Sequence, residues 1–116
     1  MDKLKPNLLI HDDNLKALKR IVANNIDQVK LVYLDPPYCS NTKNEYYCDC
    51  FDKKAHELLI KRILRLVAPL MGKNSYWFFQ TDSLHSFDII IWLDNILGRN
   101  IVRGQIVVGK NDAKKI

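Results

Sequence analysis

Glycine is scarce in this sequence: 116 residues hold four, Gly72, Gly98, Gly104 and Gly109. No pair of them opens a strand-to-helix turn whose backbone could cradle a phosphate or the methionine part of a cofactor. Cysteine is limited to Cys39, Cys48 and Cys50. Three thiols cannot all pair, which excludes a closed disulfide framework and points to a reducing cytoplasm. No apolar run approaches the ~20 residues that a membrane-spanning helix needs. The first residues do not combine a basic segment, an apolar core and a small-residue cleavage site, so secretion is not expected. Repeats and low-complexity stretches are absent, and 47% hydrophobic with 27% charged residues argues against a disordered tail. What is present fits one soluble globular domain, or part of one, large enough to bury a core. Lys and Arg number 18 against 13 Asp and Glu, a net charge of +5. That excess is a mild hint of a polyanionic partner.

Hydrophobic spacing separates short apolar runs from longer amphipathic ones. Asn7 to His11 reads as a buried strand that stops at Asp12-Asp13-Asn14. From Leu15, the positions Leu15, Leu18, Ile21 and Val22 recur at helical spacing until Asn24-Asn25. Val29 to Leu34 is nearly continuous in apolar residues, as a strand covered on both faces should be, and Asp35-Pro36-Pro37 ends it. Residues 39–51 are polar and aperiodic, a loop of a length that often carries function. Asp52 can cap a helix over Lys53 to Val67, with Ala55, Leu58, Leu59, Arg62, Ile63, Leu66 and Val67 as its core-facing stripe. Pro69 and Gly72 mark its end.

Ser75 to Gln80 is strongly β-prone, and Thr81-Asp82-Ser83 can cap a helix from Leu84 to Leu97 with Gly98 in the left-handed position after it. Ile101 to Val108 reads as a last strand, and residues 109–116 as a frayed tail. The order β-α-β-loop-α-β-α-β predicts an α/β fold, a mostly parallel sheet with crossover helices. Trp77, Phe78, Phe79 and Trp92 read as core. Lys53, Lys54, Lys61, Arg62 and Arg65 form either a solvated helix face or a phosphate-facing stripe. His11, His56 and His85 show no spacing that favours catalysis.

Ligands of an open parallel sheet bind beyond the carboxyl ends of its strands. There this sequence places Asp12 and Asp13, then Asp35, then Asp82. Asp12, Asp13 and Asp82 have an ordinary alternative role as helix caps. Asp35 does not, because the two prolines after it hold the backbone extended. Asp35-Pro36-Pro37-Tyr38 is therefore a stiff, projecting turn with a carboxylate at one end and an aromatic ring at the other. The prolines remove two N–H donors, leaving a surface rich in acceptors. It suits a ligand offering an NH₂ group on a flat ring: Asp35 and the Pro36 carbonyl can accept its two hydrogens while Tyr38 stacks.

These residues resemble the DPPY signature of the N6-adenine amino-methyltransferases of DNA, in particular the modification subunits of type III restriction-modification systems. The resemblance takes in Asn7 to Leu15, Lys30 to Tyr38, Tyr47, Asp49 and Phe51, the basic helix, and the strand ending at Asp82. It implies a partial Rossmann-like fold, S-adenosylmethionine as methyl donor, and an adenine flipped out of double-stranded DNA as acceptor. It implies Asp35, Pro36, Pro37 and Tyr38 as catalytic residues, with Asp35 and Asp13 toward the cofactor and no metal. Asp at the head of the signature favours adenine over cytosine.

Three departures stand beside the resemblance. Relatives carry Gly-Asp or Gly-Asn where this chain has Asp12-Asp13, and usually Asn where it has Cys39. Their glycine-rich FxGxG cofactor loop has no counterpart here. Residues 1–116 therefore read as the N-terminal part of an N4/N6 methylase domain, inactive alone and completed by a second polypeptide or by self-association. The alternatives are an inactive remnant or a nucleic-acid-binding module in which Cys39, Cys48, Cys50 and His56 hold zinc. That array lacks the usual C-x₂₋₄-C pairing.

Overall fold

The computed structural model describes residues 7–39, 52–98 and 101–109. Helix α1 spans Asn14–Val22, strand β1 Val29–Leu34, helix α2 Lys53–Val67, strand β2 Met71–Phe79 and helix α3 Ser86–Leu97. Two of the three described helix starts carry a side-chain cap, whereas α3 begins after His85 without one, although the sequence predicts a cap from Thr81-Asp82-Ser83. Asp13 caps α1 by accepting from the Lys16 N–H at 3.1 Å, and Asp52 caps α2 by accepting from the Ala55 N–H at 2.8 Å. Lys19 and Arg20 close α1, and Arg65 closes α2, each where a cation meets the negative end of the helix dipole. A 3₁₀ turn over Ala68–Leu70, with Pro69 inside it, ends α2.

β1 and β2 pair in parallel, with Leu31 opposite Tyr76, Val32 opposite Trp77, Tyr33 opposite Phe78 and Leu34 opposite Phe79. Parallel neighbours need a crossover, and α2 supplies it. Gln80 prolongs the ladder by donating its N–H to the Leu34 carbonyl at 2.8 Å. Where β2 begins, Gly72 passes so close to the Asp27 carbonyl that a Cβ would stand 3.0 Å from its oxygen. Glycine is favoured there by space rather than by φ.

The core lies on one face of this sheet. Ile60 and Leu64 of α2 and Ile89 and Trp92 of α3 are buried, and Leu34, Trp77, Phe79, Leu93 and Ile96 pack against them. Lys61 bonds Glu57 at 2.5 Å and lies over the Trp92 ring, 5.8 Å from its centroid. No helix among the described residues is long and apolar enough to cross a membrane.

Several expectations need correction. Asn7 to His11 and Ile101 to Val108 are not strands: the sheet has two strands among the described residues. Leu9 is 94% and Val107 91% exposed. Both runs have β-prone composition and, among the described residues, no neighbour with which to form a ladder. β2 starts at Met71 rather than Ser75, taking in Gly72, Lys73 and Asn74 across an irregularity in its register with β1. α3 starts at Ser86, and Gly98 after it has φ 100° and ψ 162°, a positive φ outside the left-handed helical well. The buried stripe of α2 is His56, Ile60, Ile63, Leu64 and Val67, so Ala55, Leu58 and Arg62 face outward. β1 is covered on one face only, and Phe78 is exposed rather than core.

Candidate active site

The Asp35–Tyr38 turn leaves β1 at its carboxyl end. Asp35 is exposed, whereas Pro36, Pro37 and Tyr38 are half-buried. Tyr38 folds back so that its hydroxyl donates to Asp35 Oδ1 at 2.6 Å. Desolvation and then the hydrogen bond to Asp35 push the Tyr38 phenol up to about 12; a hydrogen bond to Gln80 opposes them, and the charge of Asp35 adds a lesser push upward. Tyr38 is therefore a neutral donor near neutral pH. Cys39 closes the turn with φ 59°. Asn tolerates that left-handed conformation better than cysteine does.

Two residues that sequence reasoning left outside the site lie at this end of the sheet. Gln80, one step beyond β2, accepts a short hydrogen bond from the Tyr33 hydroxyl through Oε1. His56 of α2 is 2% exposed, and its Nε2 lies 2.7 Å from the Pro37 carbonyl. A signal for His56 exists in the sequence, since it continues the helical row through Ile60, Ile63 and Val67. Gln80 carries no such signal.

The other carboxylates are engaged as caps and pairs. Asp13 holds the start of α1. Asp12 accepts from the Asp13 N–H at 2.8 Å and lies 3.7 Å from Arg20. Asp82 accepts from the His85 N–H at 2.9 Å and meets the same residue's Nδ1 at 2.7 Å. Because Asn7 to His11 is irregular, Asp12 and Asp13 do not follow a strand. The zinc array cannot be assembled from what is described: Cys48 and Cys50 lie outside the described residues, and so do Tyr47, Asp49 and Phe51. Most of the 39–51 loop and of the 109–116 tail lies outside them too. Among the described residues no three His, Cys, Asp or Glu side chains gather as metal ligands would.

Two curated relatives resemble the chain in sequence. Over 107 residues the chain is 30% identical to the probable type III restriction-modification enzyme HindVI Mod subunit of Haemophilus influenzae. Over 87 residues it is 33% identical to the type III restriction-modification enzyme EcoP15I Mod subunit of Escherichia coli. The chain is related to type III Mod subunits. The first match takes in 89% of this chain and 14% of that relative, and the second 66% and 13%. The chain thus spans about a seventh of the length of the Mod subunits it matches. No protein-family model and no solved structure matches it.

One further surface bears on a Mod-like reading. An open groove of about 440 Å³ is lined by Leu15 and Lys19 of α1 and by Arg62, Arg65 and Leu66 of α2. Two of its three cations belong to the basic stripe read from the sequence.

Proposed function

We propose that the chain supplies the target-base pocket of a DNA adenine-N6 methyltransferase of the restriction-modification kind, acting in the cytoplasm on double-stranded DNA. The observation that carries this reading is the Asp35-Pro36-Pro37-Tyr38 turn at the carboxyl end of β1, closed by the bond from Tyr38 to Asp35. The α/β pattern of β1, α2 and β2 is compatible with part of a Rossmann-like fold. An adenine amino group conjugates its lone pair into the ring and is a poor nucleophile. Two acceptors, the Asp35 carboxylate and the Pro36 carbonyl, draw its hydrogens and favour a pyramidal nitrogen with the lone pair directed outward. The Tyr38 ring offers a stacking face that offsets the few kcal/mol, roughly, of taking a base out of the duplex. The groove with Lys19, Arg62 and Arg65 adds a place for backbone phosphate.

S-adenosylmethionine supplies the methyl group in this reading, and no pair of the described glycines opens a strand-to-helix cradle for it. Gly72 is packed on Asp27 and Gly98 ends α3, while Asp13 caps α1 through Oδ1 and keeps its second carboxylate oxygen. The cofactor is then held by residues other than these glycines. The basic groove of Lys19, Arg62 and Arg65 also fits a second reading, a remnant that binds nucleic acid without methyl transfer.

Incubation with labelled S-adenosylmethionine and unmethylated duplex separates the two. Label is expected on adenine N6 when a partner carrying the glycine loop is added, and Asp35→Ala abolishes it with little change in folding. Transfer by the chain alone refutes the need for a partner. DNA binding with no transfer under any condition selects the remnant.

A further inference from the structure

Pro36 and Pro37 have no backbone N–H, so the turn can be tied to the scaffold only through its carbonyls and side chains. The Pro37 carbonyl is tied by His56 Nε2 at 2.7 Å. A carbonyl only accepts, so the His56 proton sits on Nε2 in this contact. His56 is in turn fixed by what surrounds it. It lies in the first turn of α2, tilted against the Trp92 ring at 6.2 Å and edge-on to the His85 ring at 5.6 Å. His85 is held by Asp82 through both its backbone N–H and its ring. The orientation of His56 is thus set by α3 and by the turn before it, and the peptide joining Pro37 to Tyr38 is set by His56.

We propose that His56 is a positioning residue of the base pocket, whose buried Nε2–H fixes the Pro37–Tyr38 peptide and thereby keeps Tyr38 against Asp35. The functional meaning rests on the base-pocket reading above, whereas the geometric claim does not. The Tyr38 ring follows directly on the anchored peptide, so a loose peptide loses both the Asp35 contact and the stacking face. Misplacement of a reacting group by ~1 Å can cost ~10²-fold in rate.

The test is the site-resolved NMR titration of the Tyr38 phenol in the full chain, compared among His56→Leu, His56→Gln and Ile60→Val. Leucine fills similar space without a donor. The glutamine amide can donate from about where Nε2 stands. Ile60→Val loosens the same core without touching the carbonyl. The phenol is expected to titrate near 12 in the unaltered chain and in His56→Gln and Ile60→Val. In His56→Leu it is expected to fall back toward the ordinary ~10. No fall in His56→Leu, or an equal fall in Ile60→Val, overturns the proposal. In an enzyme reconstituted with its partner, His56→Leu is expected to lower kcat by ~10²-fold with the KM for S-adenosylmethionine unchanged, and His56→Gln to recover most of it. If the titration behaves as expected and no sample transfers methyl groups, His56 keeps its role and the methyltransferase reading falls. If transfer occurs while the titration ignores His56, the proposal alone falls.

Discussion

The two faces of the β1–β2 sheet are built from equally apolar side chains and have opposite fates. Leu34, Trp77 and Phe79 point to one face and pack against Ile60, Leu64, Ile89 and Trp92. Leu31, Tyr33, Tyr76 and Phe78 alternate with them onto the other, where they are 58, 61, 70 and 42% exposed. Tyr33 and Phe78, opposite each other in the register, stack with centroids 6.5 Å apart, and that contact covers neither fully. Alternation along a strand assigns residues to faces, whereas burial depends on whether an element lies over the face. On the covered face both crossover and following helix converge, and there His56 reaches the Pro37 carbonyl. The Asp35–Tyr38 turn is therefore anchored from the side that has a core.

The sharpest way to break the covered face is Leu64→Ala. Removing a fully buried leucine should lower unfolding free energy by about 2–5 kcal/mol, read from the urea midpoint at constant slope. Gly72→Ala attacks the sheet where β2 enters it. The added methyl meets the Asp27 carbonyl, and a loss of about 1–3 kcal/mol is expected in the same measurement.

A pH series probes the junction of sheet and turn. The folded state holds the Tyr38 phenol neutral to about 12, above the ordinary ~10 of an unfolded chain. The stabilisation is fully present below pH ~10 and is lost as pH rises toward 12. Tyr38→Phe should flatten that part of the stability profile, and an unchanged profile would falsify the Tyr38–Asp35 pairing. The smallest effect belongs to the bare face: Tyr76→Thr is expected to change stability by no more than about 0.5 kcal/mol. A cost like that of Leu64→Ala would mean that this face is covered in solution.

Much of this architecture was legible from residue order alone. The extent of β1, the full span of α2 with its Asp52 cap, and the Asp35–Tyr38 turn all follow from local rules. Apolar runs, capping side chains and double prolines act within a few residues of themselves. Asn7 to His11 and Ile101 to Val108 show the limit. Their composition is as β-prone as that of β1, but a strand exists only when a neighbour completes its hydrogen bonds, and neighbours are not written in a run. The α2 stripe failed more narrowly. Alanine, leucine and arginine at positions 55, 58 and 62 read as a core row, yet the helix is turned so that His56, Ile60 and Leu64 face in.

What the sequence determined by itself was a chemically committed turn: a carboxylate, two residues without N–H donors, and an aromatic ring, in that order after an apolar strand. Only the tertiary structure decided how that turn is held. It brought a histidine 19 residues further along the chain under the Pro37 carbonyl and closed Tyr38 onto Asp35. It also left Leu31, Tyr33, Tyr76 and Phe78 of the other sheet face exposed. The physical reason is the same in each case. Local sequence fixes backbone preference, while burial, hydrogen-bond partners and the titration of Tyr38 depend on groups that meet only when the helices pack.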